Sequence, residues 1–229
     1  MIVCSIQDAL QAERGGATRL EIVRDLASGG FTPPLSVVKE ILGAVKIPVR
    51  VMLREQDGFG IGKSDDLDKL CAQARQLAAL AVDGLVLGFI GDGNVDLPSI
   101  RTVLGCAPCF RATFHHAFEE TVSPQQTILK LKEVPQIDRI LTHGGSGSWP
   151  ARIRRLGEYQ SQAQPEIQIL AGGGLNLERV HSIRRQTQIR EFHVGSAVRM
   201  PQHSSGSVVD ARVREFSALL GSTAELTAR

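Results

Sequence analysis

The segment Thr113-Phe-His115-His116-Ala-Phe-Glu119-Glu120 carries two adjacent imidazoles followed by two carboxylates. An imidazole titrates near neutral pH and serves as acid, base or metal ligand. In an extended strand alternate side chains share a face, so Arg111, Thr113 and His115 point one way and Ala112 and Phe114 the other. The same rule groups Arg19, Glu21 and Val23 in one run and Arg50, Met52 and Arg54 in another. A carboxylate and a guanidinium directed into one interior would offset each other's burial. In the catalytic version of this set, Arg54 holds an anionic substrate, Glu21 acts as general base and His115 handles protons. The bland version is a structural ion pair and a histidine bonded to neighbouring carbonyls. His143 and His193 add two more titratable groups near the same rim.

A second chemistry is suggested by Ala171-Gly172-Gly173-Gly174 and Val194-Gly195-Ser196. Glycines let a backbone approach a ligand closely, and free N–H groups at helix starts attract anions. Gly172, Gly173, Gly174, Gly195 and Ser196 are therefore the candidate anion-binding residues. The same glycines would also serve as tight turns. Cysteine chemistry is sparse: Cys4 ends the first extended run, and Cys106-Ala-Pro-Cys109 is a lone CxxC without the second pair that a tetrahedral zinc site needs. Lysine is absent from every expected strand, which argues against a Schiff-base aldolase.

These residues need elements to hold them. The chain has 229 residues, the size of one α/β barrel domain spanning 1–229. Extended runs are expected at 1–5, 18–22, 48–53, 84–87, 110–114, 138–141, 166–170 and 191–194. Helices are expected near 7–15, 34–44, 64–81, 97–104, 124–133, 149–163, 176–186 and 208–219. Eight strands, each followed by a helix, predict a single (β/α)8 TIM barrel. An open doubly wound sheet would carry a Gly-rich turn after the first strand, where this chain has Cys4-Ser-Ile-Gln-Asp-Ala. In a barrel, the loops at the strand C-termini form the working face, and the anion and catalytic candidates all fall there. A net charge of +2 without a basic run offers no footprint for nucleic acid. The apolar runs are too short to span a membrane. Four cysteines fit a reduced, cytoplasmic protein. A small anionic ligand or a metal ion is the expected partner, and an apolar helix face would suit a homodimer.

Ordered segments of the chain resemble the CutC family of copper homeostasis proteins. They are Ala12-Glu-Arg-Gly-Gly-Ala-Thr-Arg-Leu-Glu21, Ser28-Gly-Gly-Phe-Thr-Pro33, Ile47-Pro-Val-Arg-Val-Met-Leu-Arg54 and Val82-Asp-Gly-Leu-Val-Leu-Gly88. Thr113-Phe-His115, Arg139-Ile-Leu-Thr142, Gly172-Gly-Gly174 and Glu191-Phe-His193 follow in order. The resemblance implies a TIM barrel, a cytoplasmic setting and a link to copper, with Cys4 at the first of two proposed cysteine ligand positions. The second position is Val23, which has no donor atom. Cu(I) prefers thiolate and thioether donors, and near the mouth this chain offers Cys4 and Met52 beside histidines.

Overall fold

The computed structural model describes residues 1–62 and 64–221. Eight strands form one parallel sheet in chain order: β1 (Ile2–Val3), β2 (Leu20–Ile22), β3 (Val49–Met52) and β4 (Gly84–Leu87), then β5 (Arg111–Phe114), β6 (Ile137–Thr142), β7 (Gln168–Gly172) and β8 (Glu191–His193). The Ile2 amide donates to the Val194 carbonyl at 3.2 Å, which joins the last strand to the first. A helix follows each strand: α1 (Ile6–Arg14), α2 (Leu35–Ala44), α3 (Ser64–Ala78), α4 (Leu97–Gly105), α5 (Pro124–Lys132), α6 (Trp149–Ala163), α7 (Leu177–Gln186) and α8 (Asp210–Gly221). This is the expected (β/α)8 barrel. Among the described residues, no helix is long and apolar enough to cross a membrane.

Local chemistry sets the boundaries. The first strand is shorter than the expected run 1–5, because the Ser5 hydroxyl accepts from the Asp8 amide and starts α1. Asp96, Ser123 and Asn176 cap α4, α5 and α7 in the same way. Two small antiparallel hairpins, Ile90–Gly91 with Asn94–Val95 and Arg199–Met200 with Ser207–Val208, were not expected. Strands of two residues are too short to show a period.

Alternation along the strands divides the apolar residues into two clusters. Val3, Ile22, Val51, Leu85, Phe114, Ile140 and Ile169 face the helices in the main core. Ile2, Val23, Met52 and Val86 form a separate group on the inward side. The remaining inward positions are polar, and the chain joins them in an ion network. Arg50, 2% exposed, donates to both oxygens of Asp138 at 2.6 and 2.7 Å, to Asp83 at 2.9 Å and to Thr113 at 2.7 Å. Glu191 accepts from Arg19 at 2.5 Å and from Arg139 at 2.7 and 2.9 Å. The β5–β6 register shifts between Ala112 and Thr113, and the consecutive residues Asp138 and Arg139 reach buried Arg50 and half-buried Glu191.

Gly84 sits where two of these strands approach. A Cβ there would lie 2.0 Å from the Arg111 carbonyl oxygen across the β4–β5 ladder. Backbone cannot yield as a flexible side chain does, so Gly84→Ala is expected to cost about 2–3 kcal/mol, in the range of an overpacked interior. Urea unfolding measures this, and a loss below about 0.5 kcal/mol would show that the strands part freely.

Candidate functional site

The structure does not gather Glu21, Arg54 and His115 into one site. Glu21 is 5% exposed and lines a cavity of about 270 Å³ that also touches Arg19, Arg50, Arg190 and Glu191. Those residues lie at or near strand starts, so this cavity opens at the N-terminal end of the barrel, opposite the face where Glu21 was expected. Arg50 is committed to Asp83 and Asp138 rather than to Glu21. The nearest ring nitrogen to Glu21 is His193 Nδ1, at 3.9 Å. Burial pushes the Glu21 carboxyl up to about 7, against the opposing effect of the Met1 amino group, Arg50 and Arg19. Burial likewise holds His193 well below the ordinary histidine value, reinforced by the Met1 amino group. Two poorly solvated groups that both prefer to be neutral can share a cavity without an ion pair.

Arg54 and His115 lie at the C-terminal ends of β3 and β5, near each other but with separate tasks. The Arg54 guanidinium donates to the carbonyls of Gly58, Ser28 and Gly30 at 3.2, 3.4 and 3.1 Å. Its faces are covered by Phe31 and Phe59, with ring centroids at 4.9 and 5.0 Å. This arginine braces two loops, which leaves it little capacity to clamp an anion. His115 is 3% exposed, and its Nδ1 accepts from the Ala117 amide at 3.2 Å. The proton of the neutral ring therefore sits on Nε2, and that atom is buried without a partner. Burial lowers the His115 pKa to about 3, aided by His116 and Arg54. At neutral pH His115 is thus a hydrogen-bond donor through Nε2, not an ammonium-like charge. Its neighbour His116 has a buried, unpartnered Nδ1 and stacks 6.0 Å from the His143 ring.

Glu119 organises this side of the mouth. Its carboxylate accepts from the Thr142 hydroxyl at 2.5 Å, the His143 amide at 2.6 Å and the Gly145 amide at 3.0 Å. It thereby ties the turn after β5 to the loop after β6. The sequence gives no sign of this role for Glu119, because its amide partners lie more than 20 positions away.

The glycine-rich loops are built as follows. Gly172 lies against Leu141 and His193, and an added Cβ would meet Leu141 at 2.6 Å. Gly173 and Gly174 take φ of 76° and 69°, which only glycine adopts without strain. Arg152 donates to the Gly173 carbonyl at 3.3 Å, and Arg179 donates to the Gly174 carbonyl. Both guanidinium groups stack on Trp149, at 3.9 and 4.5 Å. Trp149 is thus a packing residue held between two guanidinium groups. Gly195 abuts Ile2, and Ser196 opens a three-residue turn.

Cys4 is half-buried and packs on the inward cluster of Ile2, Val23, Met52 and Val86. Burial pushes its thiol pKa up, while Arg199 draws it down. That arginine pairs with buried Asp8 at 2.8 Å. Among the described residues, no group of three or more His, Cys, Asp or Glu side chains converges on one point as a metal centre. Cys4 and Met52 are the soft donors packed in this cluster, without a third donor of those types beside them among the described residues.

Comparison with known proteins places these features in a lineage. The CutC family model matches residues 1–198. A CutC family protein of Xanthomonas campestris pv. campestris (strain B100) is 30% identical over 193 residues, covering 84% of this chain and 80% of the relative. The human copper homeostasis protein cutC homolog is 30% identical over 196 residues, covering 84% of this chain and 71% of the relative. The crystal structure of a CutC copper homeostasis protein from Streptococcus agalactiae superposes with a TM-score of 0.78 at 26% identity, covering 84% of this chain and 95% of that one. Phosphoribosyl anthranilate isomerase from Thermococcus kodakaraensis shares the fold alone, with a TM-score of 0.63 at 17% identity over 96% of this chain and 97% of that one. By the family model and by these relatives, the chain belongs to the CutC family.

Proposed function

We propose that this chain serves in copper homeostasis, handling Cu(I) as a transient cargo at the barrel mouth. The observation that carries this reading is the placement of Cys4 in the same inward cluster as Met52. The name of the human relative supports it. Cu(I) accepts low coordination by thiolate and thioether, and release is easy from two donors. Binding requires loss of the Cys4 proton, which burial resists and Arg199 assists. A reducing, cytoplasmic setting suits the free thiols. Competition against chelators of graded strength tests the reading. The chain is expected to take about one Cu(I) from a weak chelator and none from a strong one, with uptake lost in Cys4→Ser and reduced at least about tenfold in Met52→Leu. Uptake that survives Cys4→Ser, or none at all, would sink it.

A second reading is a pocket for a small anionic or phosphorylated metabolite at Gly172–Gly174 and Gly195–Ser196. The observation favouring it is the pair of guanidinium groups, Arg152 and Arg179, held on Trp149 beside the loop. Titration with inorganic phosphate should then shift the amide resonances of Gly173, Gly174 and Ser196. Unmoved resonances at millimolar phosphate would discard this reading.

A further inference from the structure

The cavity of about 270 Å³ at the N-terminal end of the barrel lies away from Cys4, which follows the C-terminal end of β1. It is smaller than the pockets of drug-sized ligands, which start at roughly 300 Å³, and so suits a molecule of a few heavy atoms. Glu21 and His193 both line it. Their side chains keep 7% and 9% of their surface exposed, and that remainder borders this space. Among the described residues neither side chain makes a hydrogen bond, and their mutual approach, Glu21 Oε2 to His193 Nδ1, is 3.9 Å. The Met1 amino group borders the same space but donates to the Arg19 carbonyl at 2.8 Å. Arg50 is there too, committed to Asp83 and Asp138.

A buried carboxyl group without a donor beside it is costly and calls for an explanation. Burial pushes the Glu21 carboxyl up to about 7, as expected of a carboxylate with no cation bonded to it. Arg19 is in the complementary position. It lines the same cavity and spends Nη2 on Glu191, while among the described residues its Nε and Nη1 make no bond. Glu191 is also paired with Arg139, which leaves Arg19 with charge to spare. Residues 19 and 21 lie on one face of an extended run, with Cα atoms about 6.5–7 Å apart. The cavity therefore holds an unspent cation and an unspent acid side by side, and Leu170, Phe192 and Leu220 add an apolar wall.

We propose that this cavity binds a small zwitterionic amino acid. The ammonium group donates to the Glu21 carboxylate and to His193 Nδ1, because one nitrogen can sit about 3 Å from both. The ligand carboxylate accepts from Arg19 Nη1 in a charge-assisted bond, and a short side chain lies against Leu170 and Phe192. A simple anion would leave Glu21 without a donor, and a simple cation would leave Arg19 unmatched. This site is separate from Cys4 and does not depend on copper.

Glycine and L-alanine are suitable probes, titrated into the purified full-length chain and followed by ligand-observed NMR. Acetate and methylammonium, each carrying one half of the zwitterion, serve as controls. At least one of the two amino acids is expected to bind with a Kd of about 1 mM or tighter, and both controls at least about tenfold more weakly. Glu21→Gln and Arg19→Gln should each weaken amino-acid binding at least about tenfold. Glu21→Gln replaces a carboxyl by an amide of the same shape, so it keeps the fold and decides the matter even if Arg19→Gln does not fold. Absence of binding by both amino acids, binding indifferent to Glu21→Gln, or acetate or methylammonium binding as tightly as the amino acids would overturn the proposal. The Cu(I) titre of Glu21→Gln should match that of the wild type, which keeps this outcome distinct from that of the copper reading.

Discussion

Replacing Arg50 by Ala is expected to destabilise the barrel by about 3 kcal/mol or more, because it removes the hub of the interior ion network. One side chain satisfies Asp83, both oxygens of Asp138 and the Thr113 hydroxyl. Breaking a buried pair from one side typically costs about 3–5 kcal/mol, since the remaining charges stay poorly solvated. Asp83 and Asp138 keep some contact with solvent, and Asp138 retains Arg139, so the lower end of that range applies. Arg50→Lys should recover little, because an ammonium cannot reproduce the two parallel bonds to Asp138. Arg50→Met combined with Asp138→Leu should recover much of the loss, since a well-packed apolar pair needs no compensation. Urea unfolding of the four proteins measures this series. A loss below about 1 kcal/mol in Arg50→Ala would mean that water enters the barrel and solvates the acids.

Acid should unfold this protein partly through His115. Its folded pKa, about 3, lies below the ordinary 6.5. The folded state therefore binds fewer protons than the unfolded one between those values, and stability rises with pH across that window. The stabilisation is fully present above pH 6.5 and is lost as pH falls towards 3. At about 1.4 kcal/mol per pKa unit, the whole contribution is on the order of 5 kcal/mol. Glu21 acts in the opposite sense. Its pKa is raised from 4.5 to about 7, so stability falls as pH rises through that interval. The two effects overlap between pH 4.5 and 6.5, so the wild-type curve alone would hide both. The difference between wild type and His115→Gln isolates the histidine. The variant's stability should fall less steeply below pH 6.5, by about 1 kcal/mol per pH unit. Parallel pH profiles for the two proteins would rule out a buried neutral His115. In Glu21→Gln the opposing effect is gone, so stability should rise with pH between 4.5 and 6.5 more steeply than in the wild type.

The candidate site was only partly legible in advance. Arg54 and His115 were correctly placed at strand C-termini, because alternation and strand order are local properties. Glu21 obeys the same alternation and points inward as expected, yet it opens to the other end of the barrel. Its height along the axis depends on how far neighbouring strands slip past one another, which no single strand encodes. The expected Glu–Arg pairing failed for a similar reason. Asp138 reaches Arg50 from β6 and Asp83 from the residue just before β4, and they lie 88 and 33 positions away in the chain.

By itself the sequence determined the architecture. Eight apolar runs with period-two patterning, separated by helical segments with capping residues and glycines at their ends, admit one closed parallel barrel. The ordered family segments agree with it. Short-range backbone preference and hydrophobic patterning are enough for that, because each acts within a few residues. Only the tertiary structure decided which polar groups are spent and which are left over. Arg50, Arg54 and Glu119 are consumed in holding strands and loops together, whereas His115 Nε2 and Gln73 Oε1 remain unpaired. Whether a buried polar atom finds a partner depends on distances between elements remote in sequence. That is why the chemistry of the mouth had to be read from the folded chain.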